Sequence, residues 1–393
     1  MQHLKAFCET MGKIASGASQ RDLDDENPFD AMKMVRDTRL GALRLPLSSG
    51  GQGFTVRQFF GAIMEIAEAD PVVAHILRTH FWFVEERLRS KESPVRSRWL
   101  REIGDGKIFG NALTELGSAA LGSLRFKTAI TPDGDGWRLN GTKFYTTGTL
   151  FADYVNVFAA KGEDKVVSVM VPTVAEGIEI IDDWDGMGAR KTGSGTTNFK
   201  DVRVETKDIL VEYELEQQAA PTFEFAYLQL YLQAIMAGIM RSIVNDAITI
   251  MKTRDRSFSH APTPRPVDDP LLQEVVGELS AASFAAEAII LLAADALEEA
   301  RASVRDGLPD PVLAQTASLR SAQAKVHIDR AAARAADQMF DVGGASSASR
   351  KKNFDRHWRA IRTLTLHNPT LYKAQWIGKR LIHGEEFPMN AYF

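Results

Sequence analysis

Cysteine is almost absent from this chain. Cys8 is the only one in 393 residues, which excludes a disulfide framework and a thiolate metal cluster. An excess of basic charge is missing as well. The formal net charge of −4 leaves no surplus of cations to neutralise phosphates, so no nucleic-acid partner is expected. Long apolar runs are also lacking: the most apolar stretch, residues 285–297, is interrupted by Glu287 and Asp295 too soon for a membrane span. The first seventeen residues hold no apolar core of a secretory signal. A reducing, cytoplasmic location with no membrane partner is the expectation. The eight histidines are scattered without HExxH spacing, and Asp182, Asp183 and Asp185 beside Gly186 lack the order of a calcium loop. No metal is therefore expected. Neither GxGxxG after a strand, nor GxxxxGK[ST], nor GxSxG occurs, so Rossmann, P-loop and hydrolase readings find no support.

What the chain does have is a change of period. Its length exceeds a single core and suggests two or three domains. From residue 29 to about 108 apolar residues recur at helical spacing. Segments 58–69 and 72–88 are separated by Asp70-Pro71, an N-cap followed by proline at the first helical position. From about 109 to 210 the period becomes two. Asn140-Gly141 between extended arms predicts a hairpin turn, and a second hairpin runs from 154–160 to 166–171. Residues 177–181 and 196–204 add strands, and an antiparallel barrel or small sandwich fits this spacing. From about 213 helices return, at 222–253, 269–304, 311–340 and 355–366. The last carries Arg356, His357, Arg359 and Arg362 around Trp358, a charge density that needs anionic partners or a wet surface. It runs into His367-Asn368-Pro369, where proline disfavours helix for the residue before it.

Four segments in order resemble one family. They are Asn111-Ala112-Leu113-Thr114-Glu115-Leu116-Gly117-Ser118; GWRLNGTKFYTTG at 136–148; WDGMGARKTGSGTTNFKDVRV at 184–204; and Val342-Gly343-Gly344 followed by the basic helix. Together they resemble the acyl-CoA dehydrogenase superfamily. That resemblance implies an α+β fold with an N-terminal helical domain (1–108), a middle antiparallel β-barrel (109–212) and a C-terminal four-helix bundle (213–393), assembled as a homotetramer. One departure selects a branch. The dehydrogenases place a catalytic glutamate before a Gly-Thr pair, and here His367 stands at that place. Leu116 in place of the usual proline points the same way. The pattern DRHWRAIRTLTLHNP is similar to the flavin-dependent monooxygenase branch, typified by dibenzothiophene and alkylsulfone monooxygenases. Such enzymes take reduced FMN from a separate NAD(P)H-dependent flavin reductase and activate oxygen as a flavin 4a-hydroperoxide. The implied activity is oxygenation of a small organic substrate at sulfur, nitrogen or an aromatic carbon.

By the same resemblance His367 is the candidate proton donor or holder, with a structural helix-end histidine as the alternative. His80 is a second candidate, against a hydrogen-bonded core histidine. Thr146 is expected at the flavin edge, and Asn111, Thr114, Ser118 and Trp184 around the isoalloxazine; Trp184 could equally be an interface aromatic. Arg254 and Arg256 are candidates for the FMN phosphate, or else complement a helix C-terminus. Gly343, Gly344 and Ser346 would add close backbone approach and a hydroxyl. These two regions are expected to meet across subunits. Segments 74–83, 223–233 and 385–393 are expected to line the substrate pocket, with Phe83, Phe223, Phe225, Tyr227 and Tyr231 as an aromatic wall or as core. Two rival readings stand beside this one: an FAD-dependent dehydrogenase or oxidase of the parent type, and a flavin-free binding protein that kept the fold.

Overall fold

The computed structural model describes residues 2–117, 124–215, 222–388, 390 and 392–393. Helices come first: α1 (Gln2–Asp24), α2 (Phe29–Asp37), α3 (Val56–Ala69), α4 (Pro71–Ile76), α5 (Arg78–Arg89) and α6 (Pro94–Gly104). Thr55 starts α3 through a reciprocal capping box with Gln58, which satisfies two of the orphan N–H groups of the first turn. Asp70 caps α4 by accepting from the Val72 N–H, with Pro71 as the first helical residue. The segment expected as one helix over 72–88 is two, broken at Leu77. The break falls where Gly148 approaches the Ile76 carbonyl so closely that a Cβ on that glycine would lie 2.5 Å from the oxygen.

The sheet follows, with β1 (Phe109–Ala112), β2 (Ala129–Asp133), β3 (Gly136–Lys143), β4 (Tyr154–Lys161), β5 (Lys165–Pro172), β6 (Ile178–Ile181), β7 (Thr196–Val204) and β8 (Ile209–Glu214). Two expectations are corrected. The sheet runs β6-β7-β3-β2-β4-β5-β8 and is not closed into a barrel. Nor is it wholly antiparallel, because β1 and β2 both pair parallel to β4. Asn140-Gly141 is no turn. It is an irregularity inside β3, where the register with β7 shifts between Leu139 and Gly141. Gly141 lies at φ +147°, with Thr128 close against it, and the Asn140 side chain exchanges hydrogen bonds with Asp201. This is a bulge device. The turn before β3 uses Gly134 at φ +61° instead.

The C-terminal helices are α7 (Glu224–Thr253), α8 (Pro270–Ala302), α9 (Pro311–Gly343), α10 (Asp355–Thr365) and α11 (Thr370–His383). Asp269 and Asp310 cap α8 and α9 in the same Asp-Pro manner as α4. The three long helices pack on one another, and α7 also packs on α3. At that joint Phe59, Phe81, Tyr227 and Tyr231 form one aromatic cluster, with Phe59 centred 4.7 Å from Phe81 and 5.5 Å from Tyr227. Phe83 stacks on Phe109 at 4.5 Å. The aromatics offered above as a pocket wall or as core are mostly core: Phe83, Phe223, Tyr227 and Tyr231 are fully buried.

Candidate active site

A site forms where the loop after β3 meets α5 and the segment that follows α10. Tyr145 holds φ +55°, a left-handed conformation that costs a non-glycine residue and is concentrated at functional sites. Its ring meets Trp184 edge-on at 5.8 Å. The Trp184 indole N–H donates to the Ala189 carbonyl, which fixes the ring at the mouth of the site. Past Tyr145 two threonines face opposite ways. Thr146 is fully buried, and its hydroxyl is engaged by the Gly195 carbonyl at 3.0 Å and Thr197 at 2.8 Å. Thr147 is half-buried and joined through Ser194 to Thr192, at 2.8 and 2.7 Å. Of the two, Thr147 is the less buried and Thr146 is turned into the fold. The Thr147 carbonyl accepts from Thr79 on α5 at 3.2 Å, tying the sheet edge to the helix. On β1, the Asn111 side-chain oxygen is buried without a partner, an acceptor free for a ligand donor. Thr114 bridges to Phe144 through its backbone. Ser118 lies outside the described residues.

His367 follows α10. Its ring reaches solvent, yet protein surrounds it. Arg78 brings a guanidinium nitrogen to 3.5 Å from the ring Nε2, and Tyr392 centres its ring 6.3 Å away. The enclosing protein, then the cations Arg78, Lys325 and Lys373 with His75, hold the imidazole well below its ordinary value. It is therefore neutral at pH 7, with a lone pair able to take a proton. Burial and Arg78 push His75 down to about 3. Among buried cations, Arg78 falls to about 10 and Lys373 to about 7, each chiefly by burial. Arg78 and Lys373 escaped sequence reasoning because nothing in their local pattern marks them; tertiary packing brings them to His367.

His80 is placed elsewhere. It is wholly buried, with Nε2 bonded to the Gly41 carbonyl at 2.9 Å and Nδ1 accepting from the Phe109 N–H at 3.3 Å. Both nitrogens serve the backbone, so its place in the fold is that of a brace between the N-terminal helices and β1. The basic helix also finds its anions internally. Arg356 and His357 both meet Asp246 at 2.7 Å, and Arg359 meets Asp22 and Asp355 at 2.7 Å.

The phosphate-type residues gather at the far end of α9. Arg254 donates to the Val342 carbonyl at 2.9 Å, and Ser346 to the Gly343 carbonyl at 2.9 Å, so Arg254, Gly343, Gly344 and Ser346 are brought together within one chain. The two regions expected from different subunits thus touch within one chain. Arg256 extends into solvent. Lys325, beside His367, and Val342, beside Arg254, are seventeen residues apart on α9, or about 25 Å at 1.5 Å per residue. That exceeds the length of one flavin mononucleotide.

Residues 110–202 match the acyl-CoA dehydrogenase middle domain and residues 230–370 the acyl-CoA dehydrogenase C-terminal domain. The chain belongs to the acyl-CoA dehydrogenase superfamily. Its relatives include monooxygenases and a putative acyl-CoA dehydrogenase. A dibenzothiophene monooxygenase of Mycolicibacterium goodii is 28% identical over 95% of this chain and 91% of its own length. A probable FMNH2-dependent monooxygenase, SfnC, of Pseudomonas putida is 26% identical over 94% and 92%. The crystal structure of FMN-bound TdsC from Paenibacillus sp. A11-2 superposes with a TM-score of 0.91 at 25% identity, covering all of both chains.

Proposed function

We propose that this protein is a reduced-FMN-dependent monooxygenase that places one oxygen atom of O2 on a small organic substrate, with sulfur compounds foremost. The observation that carries it is His367, a neutral imidazole beside Arg78, at the place where the parent dehydrogenases keep a carboxylate base. The relatives' names point to the same chemistry. The residues present fit the cofactor: the Thr147–Ser194–Thr192 hydroxyl chain, the unpartnered Asn111 oxygen and the Trp184–Tyr145 pair offer hydroxyls, an acceptor and an aromatic cover. Reduced FMN, when bound, supplies the electrons that activate O2. His367 accepts or returns a proton at its ring, and Arg78 keeps that ring neutral between turnovers. Trp184 and Tyr145 cover the edge and exclude water.

Residues 1–108, 109–212 and 213–393 form the three domains in this proposal. A homotetramer completes each site, since Arg254 and Gly343 lie too far from His367 to serve the same FMN. Arg254 and Arg256 of one copy then grip the phosphate of a neighbour's cofactor. Phe284 and Leu292, two turns apart on α8 and 73% and 65% exposed, offer an apolar face for that assembly. A transient NAD(P)H-dependent flavin reductase supplies the cofactor in the cytoplasm. The test is anaerobic titration with reduced FMN followed by rapid mixing with 18O2. Binding of reduced FMN, a transient spectrum and 18O in a product are expected. Reoxidation without a transient, together with tight FAD and acyl-thioester oxidation, would return the chain to the parent chemistry.

A further inference from the structure

Behind His367 lies a cluster of buried polar groups that the proposed oxygen chemistry does not use. It draws on α4, α5, α7, α9, α11 and the tail. Arg78 and Lys373 are 8% and 3% exposed, and neither has a carboxylate partner among the described residues. Arg78 gives Nε to the Leu228 carbonyl at 3.1 Å and among the described residues otherwise approaches the His367 ring. Lys373 donates to the Tyr392 carbonyl and sits 3.7 Å over the Phe393 ring. Lys325, the third cation, is neutralised by Asp329 at 2.8 Å. Burying charges without counter-charge is unfavourable, so a protein that keeps two of them has a reason outside its own fold.

The neighbours repeat the pattern. Gln233 is fully buried, and neither its amide nitrogen nor its oxygen has a partner. One turn earlier Gln229 holds the Asn368 amide at 2.6 Å, leaving the Asn368 oxygen unpartnered, and His75 Nδ1 is likewise unpartnered. Cations with a buried amide donor are what an oxyanion needs. A neutral aromatic sulfide would leave every one of these groups unmet, at the full desolvation penalty. The flavin-type groups Thr147, Ser194 and Trp184 come from loops between strands, whereas Gln233, Lys325 and Lys373 belong to α7, α9 and α11.

We infer that this cluster binds a small organic oxyanion, a carboxylate or sulfinate, through Arg78 and Lys373, so that the substrate of the proposed monooxygenase is an anion. The inference names the substrate class within that proposal and can fail separately from it. The experiment is calorimetric titration of the whole protein, anaerobic and loaded with reduced FMN, with ethanesulfinate, benzenesulfinate and benzoate against neutral dimethyl sulfone and dibenzothiophene. At least one anion should bind at least tenfold more tightly than both neutral compounds. Lys373→Met and Arg78→Gln should each weaken that anion at least tenfold, with reduced-FMN affinity changed less than threefold. Carboxylate against sulfinate preference separates the two sources. Equal or tighter binding of the neutral compounds, absence of anion binding, or an unchanged anion affinity in Lys373→Met would overturn it. So would an equal loss of reduced FMN, which would assign the cations to the cofactor. If the anion binds but 18O never enters a product, the anion site stands and the monooxygenase reading falls.

Discussion

Two groups of basic residues flank α10, and their surroundings are opposite. At its N-terminal end Arg356, His357 and Arg359 meet Asp246, Asp22 and Asp355, and the helix is bolted to α1 and α7. Beyond its C-terminal end Arg78 and Lys373 are buried and, among the described residues, face carbonyls, rings and His367 instead of carboxylates. The first group is structural although it dominates the sequence, with four basic residues around one tryptophan. The second is inconspicuous in sequence and has the unmet electrostatics of a binding site. Density of charge along a chain therefore says little about function; the missing counter-charge says more.

That contrast can be broken or sharpened by substitution. The largest effect is expected from His367→Ala, which should lower product formation with reduced FMN by roughly 10²–10³ while the melting temperature hardly moves, because the ring's contact with Arg78 is long, at 3.5 Å. A loss of fold in that variant would move His367 into the structural group. Next, Asp246→Ala should destabilise the protein by about 2–3 kcal/mol, read by denaturant unfolding, since it strands Arg356 and His357 in a partly buried seam. His357 and Arg356 hold the Asp246 carboxyl below its ordinary value against the burial that raises it. That stabilisation should be present above the ordinary carboxylate range and disappear as pH falls through the lowered value.

Lys373→Met should act in the other direction and raise stability at pH 7 by about 1–2 kcal/mol, as replacement of costly buried charge does. Burial lowers the Lys373 ammonium to about 7 in the fold, against 10.5 when unfolded. Between those values the unfolded chain binds more protons, so native stability climbs from pH 7 to 10.5, and the variant should flatten that slope. Smallest of all, Arg256→Ala should leave unfolding within about 0.5 kcal/mol of the parent and weaken FMN retention in a manner that added salt masks.

The helix–sheet–helix order was legible because periodicity and Asp-Pro caps act locally. His367 stands out in the sequence only through its place in a recognisable segment, and its role belongs to the proposal. Asn140-Gly141 misled, since a bulge and a hairpin use the same residue pair and only the partner strand decides between them. The inward turn of Thr146 onto Gly195 and Thr197 was not legible, because those partners lie about fifty residues away in sequence. His80 looked like a site histidine until Gly41 and Phe109, far apart in sequence, took both its nitrogens. Arg78, Lys373 and Gln233 were invisible for the same reason: what marks them is the absence of a partner, and partners are assigned by the fold.

The span of α9 has a genetic consequence. One rigid helix of 33 residues carries the His367 surroundings near its middle and the Arg254 contact at its end, about 25 Å apart. Chains bearing His367→Ala and chains bearing Arg254→Ala should each be inactive alone. Co-expressed, they should form hybrids in which an intact histidine faces a neighbour's intact arginine, and part of the activity should return. Such complementation between two defective copies of one gene is not available to an enzyme whose site lies within a single chain.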